Sequence, residues 1–194
     1  MNIQVPEILA MHKALITCWK ADGVTHKHQD ALLSLVEKNH AFNYQLWHAE
    51  DRARRKDKGD KFVCEAKRAI DGYNQKRNDY MEAIDDYFFN ALNPASHTSC
   101  TVHSETPGMM IDRLSILALK HYHMAIQTTR EEASLKHREQ CQQKLIVISE
   151  QLSQLANCLS ELFEAVVTQK RTFRLYRQMK MYNSPTLNPE LYAD

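Results

Sequence analysis

Only 4 glycines and 5 prolines punctuate this 194-residue chain. A many-stranded β fold needs a tight turn every few residues, and those turns draw on these two residue types. Apolar residues instead recur three and four positions apart over long uninterrupted stretches, the period of an amphipathic helix. Long helices packed on one another are therefore the expected architecture.

The first helix is expected to open at Pro6, where a missing N–H costs nothing, and to stop at Gly23. A second runs from about Asp30 to Lys58 with Leu32, Leu35, Asn39, Phe42, Leu46, Ala49 and Ala53 as its inward stripe, ended by Gly59. The third spans about Asp60 to Leu92 and ends at Asn93-Pro94. Asn93 to Ser104 reads as a loop, and Thr106-Pro107 as the cap and first turn of a fourth helix. A turn marked by neither Gly nor Pro falls between Thr128 and Leu135, before a helix from Leu135 to about Gln169. Arg171 to Tyr182 is basic and aromatic and fits no element type, and Pro185 and Pro189 make residues 184–194 a non-helical tail. The expectation is one all-α domain over residues 1–194: an antiparallel bundle of four to five long helices, with its motifs between residues 40 and 183.

Charge and cysteine usage exclude several roles. A formal net charge of +1 gives no field to recruit nucleic acid or an anionic membrane, and neither basic cluster (Arg52 to Lys58, Lys170 to Lys180) carries a nucleic-acid reading module. The 5 cysteines are odd in number and far apart, which fits reduced thiols in a cytoplasmic protein rather than zinc or a disulfide framework. No secretory leader and no apolar run near ~20 residues is evident, so no transmembrane segment is expected. His12 reads as an ordinary core-edge histidine, and Cys64 and Cys158 as packing residues.

The anomaly lies beside the apolar stripes. On the second helix His40, Asn43, Trp47, Glu50 and Arg54 are spaced three, four, three and four apart, only about 40–60° from the apolar line. Asp71, Asn74, Asn78, Met81 and Asp85 repeat the pattern on the third helix, and Asp112, Ser115 and His123 on the fourth. An unpaired buried charge costs several kcal/mol, while a whole domain is stable by only about 5–15 kcal/mol. The seams must therefore either close into a paired network or line a wet cleft that receives a ligand.

The runs that carry these seams are also distinctive as strings. His40-Ala-Phe-Asn43, Leu46-Trp47-His48-Ala-Glu50-Asp51-Arg-Ala-Arg54, Ile70-Asp71-Gly-Tyr-Asn74-Gln-Lys-Arg77-Asn78-Asp79, Ser104 to Leu117 and Tyr176 to Asn183 follow in that order. Together they resemble the bacterial family called domain of unknown function 4254. The resemblance implies an all-helical protein with no established activity, encoded near glycosyltransferases of lipopolysaccharide and related surface sugars. Carried onto this chain, its motif positions are His40, Asn43, Trp47, Glu50, Asp51, Arg54, Asp71, Asn74, Arg77, Asn78, Asp85, Glu105, Asp112, Arg113, Arg177, Lys180 and Asn183. The chain departs from the family where a Gly is usual around Gln169-Lys170.

Three chemistries suit these residues. A binding or accessory protein of envelope polysaccharide assembly would take a phosphorylated sugar, a sugar nucleotide or a partner glycosyltransferase. Arg54, Arg77, Arg113, Arg177 and Lys180 would then hold phosphate, the Asn side chains would hold hydroxyls, and Trp47 would form a wall. The helix start at Thr106-Pro107-Gly108 would offer N–H groups to an anion. Alternatively, Glu50, Asp71 and Asp112 would hold Mg²⁺ in a helical hydrolase resembling nucleotide pyrophosphohydrolases. In the third reading the seams are only an ion-pair network that sets helix register.

Overall fold

The computed structural model describes residues 5–96, 99–181 and 184–191. Five helices dominate it: α1 Val5–Asp22, α2 Ala31–Ala53, α3 Asp60–Leu92, α4 Pro107–Thr128 and α5 Leu135–Val167. Helices α2 and α3 form one antiparallel hairpin and α4 and α5 another, α3 packs on α4, and α1 lies against α2, α4 and α5. No helix among the described residues is long and apolar enough to cross a membrane.

Local chemistry sets the ends. Asp30 accepts from the backbone N–H groups of Leu32 and Leu33 at 2.9 Å to start α2, Thr106 accepts from Met109 ahead of Pro107 to start α4, and Ser134 accepts from His137 to start α5. Helix α2 stops at Ala53, short of the expected Lys58. There the Arg54 guanidinium donates to the Glu50 carbonyl at 2.6 Å, while the Arg54 N–H turns to Asp51, and a short 3-10 turn, Lys56–Lys58, follows. Gly59, at φ 84°, then turns the chain into α3.

Two three-residue strands interrupt the helical pattern. Thr101–His103 (β1), inside the expected loop, pairs in parallel with Arg171–Phe173 (β2), Val102 opposite Thr172. Beyond β2 the untyped basic segment runs along α3. Arg177 meets Asp86 at 2.5 Å and Glu82 at 3.5 Å, the Gln178 amide donates to Glu82 at 2.8 Å, and Lys180 pairs with Asp79. This segment straps α3 to the bundle. The tail beyond it is non-helical in its described part, apart from a 3-10 turn at Pro189–Leu191.

The main core joins Ile8, Ile16 and Trp19 of α1 to Val36, Ile84, Phe88, Ile111, Leu114, Leu159 and Phe173. A smaller cluster of Ala49, Ala53, Ala66 and Ile70 packs the turn end of the α2–α3 hairpin. On α2 both lines contribute buried residues: Asn39, Ala49 and Ala53 from the stripe read as apolar, and His40 and Asn43 from the polar seam, while Leu32, Leu35, Phe42, Leu46, Trp47 and Glu50 are half-buried and Arg54 is exposed. The inner half of the polar seam is therefore as deeply enclosed as the stripe beside it.

Candidate functional site

Asp112 of α4, 2% exposed, is the centre of that seam. Arg77 of α3 grips it at two points, Nε to Oδ1 at 2.9 Å and Nη2 to Oδ2 at 2.8 Å. Asn39 and Asn43 of α2 each donate an amide N–H to the same Oδ1, at 3.0 and 2.9 Å. Asn39 gives its second N–H to the Arg77 carbonyl, and Asn43 gives its second to Ser115 Oγ at 3.0 Å.

The chain of donors has a direction. His40 Nε2 faces the His12 carbonyl at 3.1 Å, and a carbonyl only accepts, so this nitrogen carries the proton. Nδ1, 2.7 Å from Ser115, then accepts from the serine hydroxyl. Burial, and after it the nearby His12, hold His40 well below the ordinary histidine range, in keeping with a neutral ring. Every polar atom of Asp112, Ser115 and His40 is thereby engaged, and the inner seam is a closed lattice.

His12 differs from its expected place at the core edge. It is fully buried with its ring centroid 4.4 Å from that of His40, and neither ring nitrogen bonds to a described residue. Burial pushes its pKa down to about 3.

Above the lattice, toward solvent, lies a cleft of about 370 Å³. Asn43 and Arg77 rise into it from the lattice, and Trp47, Glu50, Asp51 and Arg54 form its α2 wall. Leu46, Ile116 and Leu119 supply its apolar surface. Trp47 is held by a stacked contact with His123 of α4, centroids 4.5 Å apart and rings within 5° of parallel. Six of the seventeen motif positions thus meet in one concavity drawn from three helices.

The remaining positions have other fates. Asn74 receives a long bond of 3.4 Å from Arg77, while Asp71 is exposed and Asn78 half-buried, neither lining the cleft. Asp85 accepts from the Gly108 N–H and the Thr106 hydroxyl, each at 2.6 Å. The start of α4, expected to receive an external anion, is therefore filled by the protein's own carboxylate. The approach is so close that a Cβ on Gly108 would sit 2.4 Å from the Met81 carbonyl. Burial pushes the Asp85 pKa up to about 6, against those two hydrogen bonds, which lower it.

Glu105 and Arg113 pair at 2.5 Å on another face of α4, and Arg177 and Lys180 belong to the strap. Asn183 lies outside the described residues. All of the described cations expected to bind phosphate have a carboxylate partner, but the partnerships differ. Arg77–Asp112 is buried and two-pointed, whereas Arg54–Glu50 and Arg113–Glu105 are exposed single contacts. Such surface pairs are worth about 0–1 kcal/mol and exchange partners readily. Arg54 and Arg113 are thus the cations free to turn toward a ligand.

The suggested Mg²⁺ ligands do not assemble. Asp112 is consumed by Arg77, Asp71 faces solvent, and Glu50 pairs with Arg54, and no group of three His, Cys, Asp or Glu among the described residues could hold a metal ion.

Asn39 stands in the apolar stripe of α2 yet is a lattice residue, and a lone amide among Leu and Phe is itself the signal of a buried polar contact. Glu37, outside both seams and fully buried, accepts from the backbone N–H groups of Lys27 and His28 at 3.0–3.1 Å and fixes the α1–α2 connection, a contact with no periodic signal.

Fold and site together define an all-helical protein with a polar interhelical cleft standing on a closed hydrogen-bond lattice. The chain belongs to the family described as "Protein of unknown function (DUF4254)", whose pattern matches residues 33–175. The lattice residues of α2, α3 and α4 and the whole cleft fall inside that span, whereas α1, Arg177, Lys180 and Asn183 fall outside it. No curated protein and no solved structure matches the chain.

Proposed function

We propose that this chain is a binding or accessory protein of envelope polysaccharide or lipopolysaccharide assembly, and that its α2–α3–α4 cleft takes a phosphorylated sugar or a sugar nucleotide. The observation that carries this is the gathering on the cleft wall of motif residues that the inner lattice does not use. The inner lattice is complete without Trp47, Glu50, Asp51 and Arg54. Beyond the bond by which Arg54 closes α2 and the stacking of Trp47 on His123, folding asks little of these groups, since a surface pair four residues apart on a helix stabilises by about 0.2–0.5 kcal/mol. A sugar needs all of them. Carboxylates and an Asn amide exchange hydrogen bonds with ring hydroxyls, an indole covers an apolar sugar face, and an arginine reaches the phosphate. The glycan-assembly setting follows from the family resemblance, with a glycosyltransferase as the corresponding partner class.

The test is calorimetric titration of the full chain with hexose phosphates. Binding is expected, and Asp51→Asn and Trp47→Phe, conservative changes on the cleft wall, should weaken it about fivefold to tenfold. Heat from no phosphorylated sugar, or binding that both variants leave untouched, would overturn the assignment.

A further inference from the structure

Ile116 lines both the cleft and a second, larger cavity of about 620 Å³ whose walls come chiefly from α4 and α5, so the two concavities share a wall residue. Arg113, Ile116 and Lys120 share one stripe of α4, spaced three and four apart. The two cations stand one turn to either side of Ile116, with their backbones about 10 Å apart along the helix axis. Gln151 and Gln154 of α5 project into the same groove, over a floor that includes Leu117 and Leu155.

A diphosphate carries more negative charge than the cleft can balance, and the surplus cations lie on this ridge. Glu50 and Asp51 face the cleft against Arg54, and Arg77 is already neutralised by Asp112, so the cleft interior has no cationic surplus. On the ridge, Arg113 holds only the exposed Glu105, and Lys120 has no ion-pair partner among the described residues. Two cations with that separation, able to converge through long side chains, match two linked phosphates better than one. The groove beyond combines an apolar floor with two exposed side-chain amides, each a donor and an acceptor, which suits the edge and face of a planar heterocycle.

We infer that the two cavities form one bipartite site for a nucleoside diphosphate sugar. The glycosyl group lies in the α2–α3–α4 cleft, the diphosphate crosses Ile116 between Arg113 and Lys120, and the base rests against Gln151 and Gln154. This assignment depends on the sugar reading of the cleft and narrows it from phosphorylated sugars in general.

The test titrates the full chain calorimetrically with UDP-glucose, GDP-mannose, ADP-glucose and dTDP-glucose, their parent nucleoside diphosphates, and glucose 1-phosphate. At least one nucleoside diphosphate sugar should bind tenfold or more tightly than glucose 1-phosphate. Lys120→Glu, an exposed substitution, should weaken that ligand and its parent nucleotide alike by tenfold or more. Gln154→Ala should weaken both as well, whereas Asp51→Asn should weaken the sugar nucleotide and leave the parent nucleotide unchanged. If glucose 1-phosphate binds and responds to Asp51→Asn, but no nucleotide binds more tightly or none responds to Lys120→Glu, the bipartite site is wrong and the sugar cleft stands. If no probe binds, both fail.

Discussion

Arg77 on α3 and Asp112 on α4 meet through two parallel hydrogen bonds of 2.8 and 2.9 Å, with the carboxylate almost wholly removed from water. Two amides from α2 converge on the same carboxylate, so a single side chain ties three helices together. A buried charge is tolerable only when its partners surround it, and here removing either partner strands the other. Arg77→Met and Asp112→Leu should each destabilise the fold by about 3–5 kcal/mol. The double variant should cost clearly less than the sum of the two, since it leaves no stranded charge. Urea unfolding of the four proteins measures this, and simple additivity would show that the pair is not coupled.

Asp85 gives a pH signature of opposite sign to that of a stabilising surface carboxylate. Burial raises its pKa to about 6 in the folded chain, against about 3.9 for an unfolded aspartate. Between these values the folded protein binds more protons than the unfolded one, so the stability contributed by Asp85 falls as pH rises from about 4 to about 6. Each pKa unit corresponds to about 1.4 kcal/mol, so wild type should lose about 3 kcal/mol relative to Asp85→Asn across that window. Unfolding curves of both proteins from pH 4 to pH 7 test it. A constant difference would mean that the bonds from Thr106 and Gly108 offset the desolvation.

How far the sequence reaches can be seen from particular residues. Helix starts were legible at Asp30 and Thr106 because capping is local, a side chain bonding to an N–H two or three positions on. The seams were legible because 3.6-residue periodicity is intrinsic to the helix. A period does not say which neighbour covers a face, or at what level. His40 and Asn43 are sealed because α1 and α4 both press on that side of α2, whereas Asp71, on the same seam as Asn74, stays in water. Contacts that join distant positions left no local trace. Asp85 filling the start of α4 spans 23 residues to Gly108, and β1 finds its partner strand about seventy residues further on. Strands of three residues are also too short to show an alternating pattern.

Gln169 carries a strain that a single substitution should relieve. It follows the end of α5 at φ 56°, while Lys170 donates back to the Ala165 carbonyl at 2.8 Å, closing the helix with a left-handed residue. A residue with a Cβ pays about 1 kcal/mol or more in that conformation, and glycine does not. Gln169→Gly should therefore stabilise the chain by up to about 1 kcal/mol, raising the thermal midpoint by about 2–4 °C. Gln169→Ala, which keeps the Cβ, should not. An equal response to both would point to the glutamine side chain rather than the backbone.

The strap beyond α5 is rich in charge, yet its anchor is apolar. Phe173 is 1% exposed, meets Phe89 edge-on at 6.1 Å, and is followed within a few residues by the ion pairs of Arg177 and Lys180 with α3. Arg177 sits in water, where screening and the freedom of a long side chain remove most of the gain from pairing. Phe173→Ala deletes a ring from a closed core and should cost about 3–5 kcal/mol. Arg177→Ala should leave the unfolding transition essentially where it is, and raising the salt concentration should shift wild type as little. A large loss of stability from the arginine variant, with a small one from the phenylalanine variant, would mean that charge rather than packing holds β2 and the following segment against α3.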